Sequence, residues 1–148
     1  MTRQDTTSRT DPGRGKTDPG RETVYREIRE SLGVVPSMFD RVPDASLALE
    51  WQLFRQVHLT EGAIPAKYRE LTAVAMGAIV RDRYCAYAHT EFARANGATE
   101  AEIEEVLHFA KSVAGWSTFV NGTQLDFEKF KSEIDDLCQH VRQLQKAA

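Results

Sequence analysis

Residues Glu70 to His89 read ELTAVAMGAIVRDRYCAYAH, and this stretch decides the fold. From Leu71 to Val80 only Thr72 is polar, a run too long and too poor in alternation for a strand, so it predicts a helix covered on all sides. Arg81 and Asp82 break it, and a second helix follows with Cys85 and His89 four residues apart. At that spacing the two side chains lie one above the other on one helical face. A thiol and an imidazole so placed can exchange a proton. Ala73, Ala75, Gly77 and Ala78 would let a neighbouring helix come close, and a glycine inside a helix costs about 1 kcal/mol relative to alanine, which points to a packing reason for Gly77.

The other segments carry the same period. Thr23 to Leu32 has Val24, Ile28 and Leu32 on one face and stops at Gly33. After the loop VVPSMF, a helix over roughly Asp44 to His58 has Leu47, Trp51, Phe54 and His58 in one stripe, widened by Leu49, Leu53 and Val57 into a broad buried face. Pro65 suits the first turn of the helix that runs to Val80. The Cys85 helix covers Arg83 to Asn96 and ends at Gly97. Thr99 and Glu102 form a capping box for a fifth helix that reaches Gly115, with Trp116 anchoring the turn after it. A last helix carries Phe127, Phe130, Ile134, Leu137, Val141 and Leu144 at spacings of 3 and 4, a coiled-coil-like seam for its own domain or for another subunit. No segment alternates as a strand does. The expected class is all-α, about six helices over residues 22–148.

Residues 1–21 contain TDPGR twice, at Thr10 to Arg14 and Thr17 to Arg21. Turn chemistry without large apolar residues cannot offset the entropy of ordering, so this segment reads as a flexible arm. A neighbouring subunit is the other surface on which it would order.

Composition narrows the function. A net charge of −3 over 148 residues gives no electrostatic reason to expect nucleic acid or an anionic membrane as partner. Two cysteines, Cys85 and Cys138, are too few for a disulfide framework and fit a reducing cytoplasm. Neither an apolar leader nor an apolar run long enough to span a bilayer is expected.

The set Glu70, Cys85 fifteen positions on, and His89, inside YCAYAH and followed by a helix ending in ANGAT, resembles the carboxymuconolactone decarboxylase family and its alkylhydroperoxidase D branch. The resemblance runs from about Gly33 to Leu125. It implies an all-helical fold, a trimer or hexamer, no metal and no cofactor. In the peroxidase branch the family pattern has a Glu, twelve residues later a first Cys, three later a second Cys and four later a His. These fall on Glu70, Asp82, Cys85 and His89, so the dithiol is absent and Asp82 stands at its first position.

As the N-cap of the Cys85 helix, Asp82 would accept the Cys85 amide. The helix dipole then lowers the thiol pKa while the Asp82 and Glu70 carboxylates raise it, and a protonated His89, Arg81 and Arg83 act against the carboxylates. Four readings follow. The first is a thiol peroxidase in which Cys85 reduces a hydroperoxide, Glu70 and His89 relay the proton, and an external thiol restores the enzyme. The second is a lyase of the decarboxylase type acting on a small organic substrate through Glu70 and His89. A metal site of Cys85, His89, Asp82 and Glu70 has suitable donors but no common zinc spacing. A helical oligomer without activity is the fourth. Tyr84 and Tyr87 flank the thiol as pocket walls or subunit contacts, and His58 is a partly buried side chain that could line the pocket. His108 and His140 read as solvent-exposed, and Cys138 as a small buried apolar residue.

Overall fold

The computed structural model describes residues 19–147. Six α-helices and two shorter helical turns make up the described residues, with no strand among them, as the all-α reading expected. They group into two units divided between Thr60 and Glu61.

The first unit begins with helix α1, Pro19–Leu32. Pro19, Gly20 and Arg21 therefore belong to a helix, where the sequence reading had placed them in the arm; the rest of that arm lies outside the described residues. Proline is tolerated in a first helical turn because its missing N–H has no partner there. Gly33 closes the helix at φ +78°. A 3₁₀ turn, Ser37–Arg41, leads to α2, Asp44–Phe54, and a π-helical turn, Arg55–Leu59, follows. Val24, Ile28, Phe39, Leu47 and Trp51 form the core of this unit, with Phe39 edge-on to Trp51 at 5.9 Å. The Arg21 guanidinium pairs with Asp44 and donates to the Tyr25 hydroxyl and the Val42 carbonyl, holding α1 against the start of α2.

The broad buried face expected for α2 is narrower. Leu49, Leu53 and Val57 are half or more exposed, because α1 and the 3₁₀ turn cover one side of α2 only. The π turn, closed by Thr60 N–H to the Arg55 carbonyl at 3.1 Å, follows Phe54 with an extra residue in its turn, and Val57 and His58 are exposed there.

The second unit contains α3, Ala66–Ile79; α4, Arg83–Ala95; α5, Glu100–Thr123; and α6, Phe127–Ala147. Helices α3 and α4 are in close contact where Gly77 meets Ala86. A Cβ on Gly77 would lie 2.9 Å from the Ala86 nitrogen and 3.3 Å from its Cα, so only glycine fits there. Leu71, Ala93 and Ile103 join α3, α4 and α5 in one cluster, and Lys67 Nζ reaches Glu102 Oε1 at 2.7 Å to tie the first turn of α3 to that of α5. The capping box of Thr99 and Glu102 forms as the sequence predicts.

Three expectations change here. Helix α3 is not covered on all sides: Leu71, Val74 and Gly77 are buried, while Met76, Ile79 and Val80 are half or more exposed, since α4 and α5 pack on one side of it. Helix α5 does not stop at Gly115 but continues two turns to Thr123; the roughly 1 kcal/mol cost of one interior glycine is small beside the hydrogen bonds of those turns. Trp116 accordingly sits within the helix, 63% exposed, and anchors no turn. The α6 seam, for which the sequence offered its own domain or another subunit, has no fully buried residue among those described, and Phe130 is half-buried. No helix of the described residues is long and apolar enough to cross a membrane.

Candidate functional site

Glu70 is the buried charged residue among those described, 8% exposed. It lies two turns before Gly77 on the same face of α3, and His89 lies one turn beyond Ala86 on α4. The close Gly77–Ala86 contact therefore fixes the helix separation at which the two side chains meet. His89 Nδ1 and Glu70 Oε2 are 2.7 Å apart, with both side chains less than one-fifth exposed. A carboxylate accepting from Nδ1–H leaves the basic lone pair on Nε2. The Phe92 ring stands edge-on to His89 at 6.0 Å.

The turn that delivers Cys85 has an unusual backbone. The Asp82 amide donates to the Gly77 carbonyl at 2.9 Å and the Arg81 amide to the Ala78 carbonyl at 3.2 Å, which is the six-to-one closure of a Schellman motif. Arg81 occupies the left-handed position at φ +59°, where glycine is usual. No sequence signal marks this residue, since nothing in an arginine advertises a positive φ. The consequence is a link so short that Asp82, the residue after the turn, is already the N-cap of α4. Its Oδ1 accepts the amides of Tyr84 at 2.8 Å and Cys85 at 3.4 Å.

The Asp82 carboxylate also accepts a hydrogen bond from the Cys85 thiol. That bond, with slight burial and the negative charge beside it, raises the thiol pKa above its ordinary value. In return, the thiol and the two amides lower the Asp82 pKa. The sequence left the helix dipole and the carboxylates in opposition; in the folded chain the shift goes the way of the Asp82 carboxylate, at a cysteine that is exposed.

The other candidates divide by position. Tyr84 and Tyr87 are both more than two-thirds exposed; the Arg83 guanidinium stacks on the Tyr84 ring at 4.9 Å. His58 lies in the π turn of the first unit, exposed rather than partly buried, its ring 4.5 Å from that of Phe54. Cys138 is half-buried on α6 rather than buried. His108 and His140 are exposed. Among the described residues no three His, Cys, Asp or Glu side chains are grouped to hold a metal ion.

A sequence model of the carboxymuconolactone decarboxylase family matches residues 42–125, a span that includes Glu70, Asp82, Cys85 and His89 and excludes α6. Among solved structures, the alkylhydroperoxidase AhpD core from Rhodospirillum rubrum is 30% identical, with a TM-score of 0.65 over 74% of this chain and 84% of that one. No curated protein matches the chain.

Proposed function

Since this chain belongs to the carboxymuconolactone decarboxylase family, we propose that it is a peroxidase-like oxidoreductase that reduces hydroperoxides with the single thiol of Cys85 and a Glu70–His89 proton relay. The observation that carries the reading is the 2.7 Å pair of His89 and Glu70, one helical turn along α4 from an exposed cysteine. Glu70 orients the imidazole, and His89 takes the thiol proton. The thiolate sulfur attacks the outer peroxide oxygen, the O–O bond breaks, and the alkoxide leaves as an alcohol with the proton returned by His89. Cys85 is then a sulfenic acid. An external thiol displaces water from it to form a mixed disulfide, and a second thiol releases Cys85 with a disulfide as the other product.

Asp82 occupies the place at which the peroxidase pattern has its first cysteine, so resolution depends on that external thiol. The assembly in this reading is a homo-oligomer, a trimer or a hexamer. Tyr84 and Tyr87, exposed in the chain alone, are then subunit contacts.

One observation favours a second reading. The Cys85 thiol hydrogen-bonds to Asp82, whereas Glu70 and His89 are already joined, which suits acid–base chemistry of the decarboxylase type on a small organic substrate. Cys85→Ala separates the two: hydroperoxide reduction is expected to vanish and lyase turnover of a lactone acid to survive. Loss of neither activity, because neither is present in the native chain, leaves the inactive family member as the answer.

A further inference from the structure

We propose that α6 pairs antiparallel with α6 of a second copy of this chain, through the seam Phe127, Phe130, Ile134, Leu137, Val141 and Leu144. The inference rests on the homo-oligomer reading above and is independent of the chemistry at Cys85. Three observations carry it.

The seam is largely uncovered by the described residues of its own chain. Phe127, Leu137 and Leu144 are more than half exposed and Ile134 and Val141 more than two-fifths, while the half-buried Phe130 lines a groove with Trp116 and Val120 of α5. The apolar surface continues onto α5 through the exposed Phe109, Val113 and Phe119. An exposed apolar surface of this extent, rimmed by charged residues, marks an interaction site.

The spacing specifies that a helix covers it. A repeat of 3 and 4 is the pattern that keeps one narrow stripe facing another helix of the same pattern. The family match ends at residue 125, so α6 lies outside the matched span. A second copy supplies the matching stripe.

The charge pattern specifies the direction. Residues 126–136 hold five carboxylates and two lysines, whereas from residue 137 to 147 there is no carboxylate, only His140, Arg142 and Lys146. The helix macrodipole accounts for such charges in the first and last turns but fades beyond them, and Asp135 and Asp136 lie in the middle. A parallel pair would set acidic half on acidic half. An antiparallel pair sets each acidic half on a basic one, with Ile134 against Leu137 of the partner subunit and Phe127 against Leu144 of the partner subunit. In that register Glu133 flanks His140 of the partner subunit at the same edge of the seam, twice by symmetry.

The test is the mass of the full chain by light scattering at micromolar concentration, for the native protein and for Ile134→Glu/Leu137→Glu, with helicity followed by circular dichroism. An even-numbered assembly that falls to half its mass or less in the variant, helicity retained, is the expected result. A monomeric native chain overturns both this inference and the homo-oligomer reading. A trimer, or an assembly untouched by the variant, overturns this inference alone. Orientation is read by cross-linking in a Cys85→Ser/Cys138→Ser background, which also decides the matter if the charged variant unfolds. Glu133→Cys/His140→Cys is expected to give a covalent dimer under mild oxidation and Phe127→Cys none; the reverse pattern means a parallel pair and overturns the proposal.

Discussion

At the scale of single residues, Asp82 does two things that a sequence reader can weigh but not balance. Its role as N-cap of α4 is legible from its place before the helix, and so is the sign of its influence on Cys85. What the sequence does not hold is the geometry of the opposing charges; in the fold the Cys85 thiol donates a hydrogen bond to the Asp82 carboxylate, which raises its pKa. Thiol reactivity is therefore expected to rise with pH through a value above the usual ~8.5. Asp82→Asn keeps a good cap and removes the charge, so it is expected to shift that profile to lower pH and to speed alkylation of Cys85 at neutral pH; an unmoved profile in a rate-against-pH series contradicts the assignment. The Glu70–His89 contact was foreseen only as a pairing of types. Its 2.7 Å length depends on Gly77, whose small size was legible and whose exact neighbour was not.

At the scale of elements, every helix was legible from periodicity, as were the buried stripes of Val24 and Ile28 on α1 and of Leu47 and Trp51 on α2, while the sides that stay uncovered were not. Single-sequence patterns show where apolar residues lie, and α3 has them on all sides; which side is covered depends on helices from elsewhere in the chain. Gly77→Ala tests the close contact between α3 and α4. With a Cβ 2.9 Å from a backbone nitrogen, the helices must part, and a loss of about 1–3 kcal/mol in denaturant unfolding is expected, together with slower chemistry at the displaced Glu70–His89 pair. Arg81 predicts the opposite sign. Its left-handed φ costs an L-residue roughly 1–2 kcal/mol, part of which glycine returns to the unfolded chain as entropy, so Arg81→Gly is expected to stabilise by up to about 1 kcal/mol by the same measurement. The tie between α3 and α5 has a pH signature. Lys67, and then the capping box, hold the Glu102 carboxyl down at about 2. A carboxyl whose folded pKa is depressed stabilises the fold above its unfolded pKa of about 4.5 and loses that contribution as pH falls toward about 2. Thermal melts across that window should drop more steeply for the native chain than for Lys67→Met; parallel curves would contradict the tie.

At the scale of the whole molecule, the fold class and the family were legible, because a Glu, a Cys and a His at fixed offsets on an apolar helix pair constrain the architecture strongly. The extent of apolar surface left uncovered was not, since a seam of 3 and 4 says that a partner helix exists without saying whose it is. The activity belongs to this scale too, as it needs the relay, the exposed thiol and an external reductant together. The measurement that tests it most directly is single-turnover reaction of the reduced protein with one equivalent of an organic hydroperoxide, with a sulfenic-acid trap and intact mass as readouts, for the native chain, Cys85→Ser and His89→Gln. The account predicts one added oxygen trapped at Cys85 alone, absent in Cys85→Ser and formed on the order of 10²-fold more slowly in His89→Gln, the usual worth of a positioned acid–base group. Oxidation of Cys85 at the rate of cysteine in solution, indifferent to His89, would contradict it.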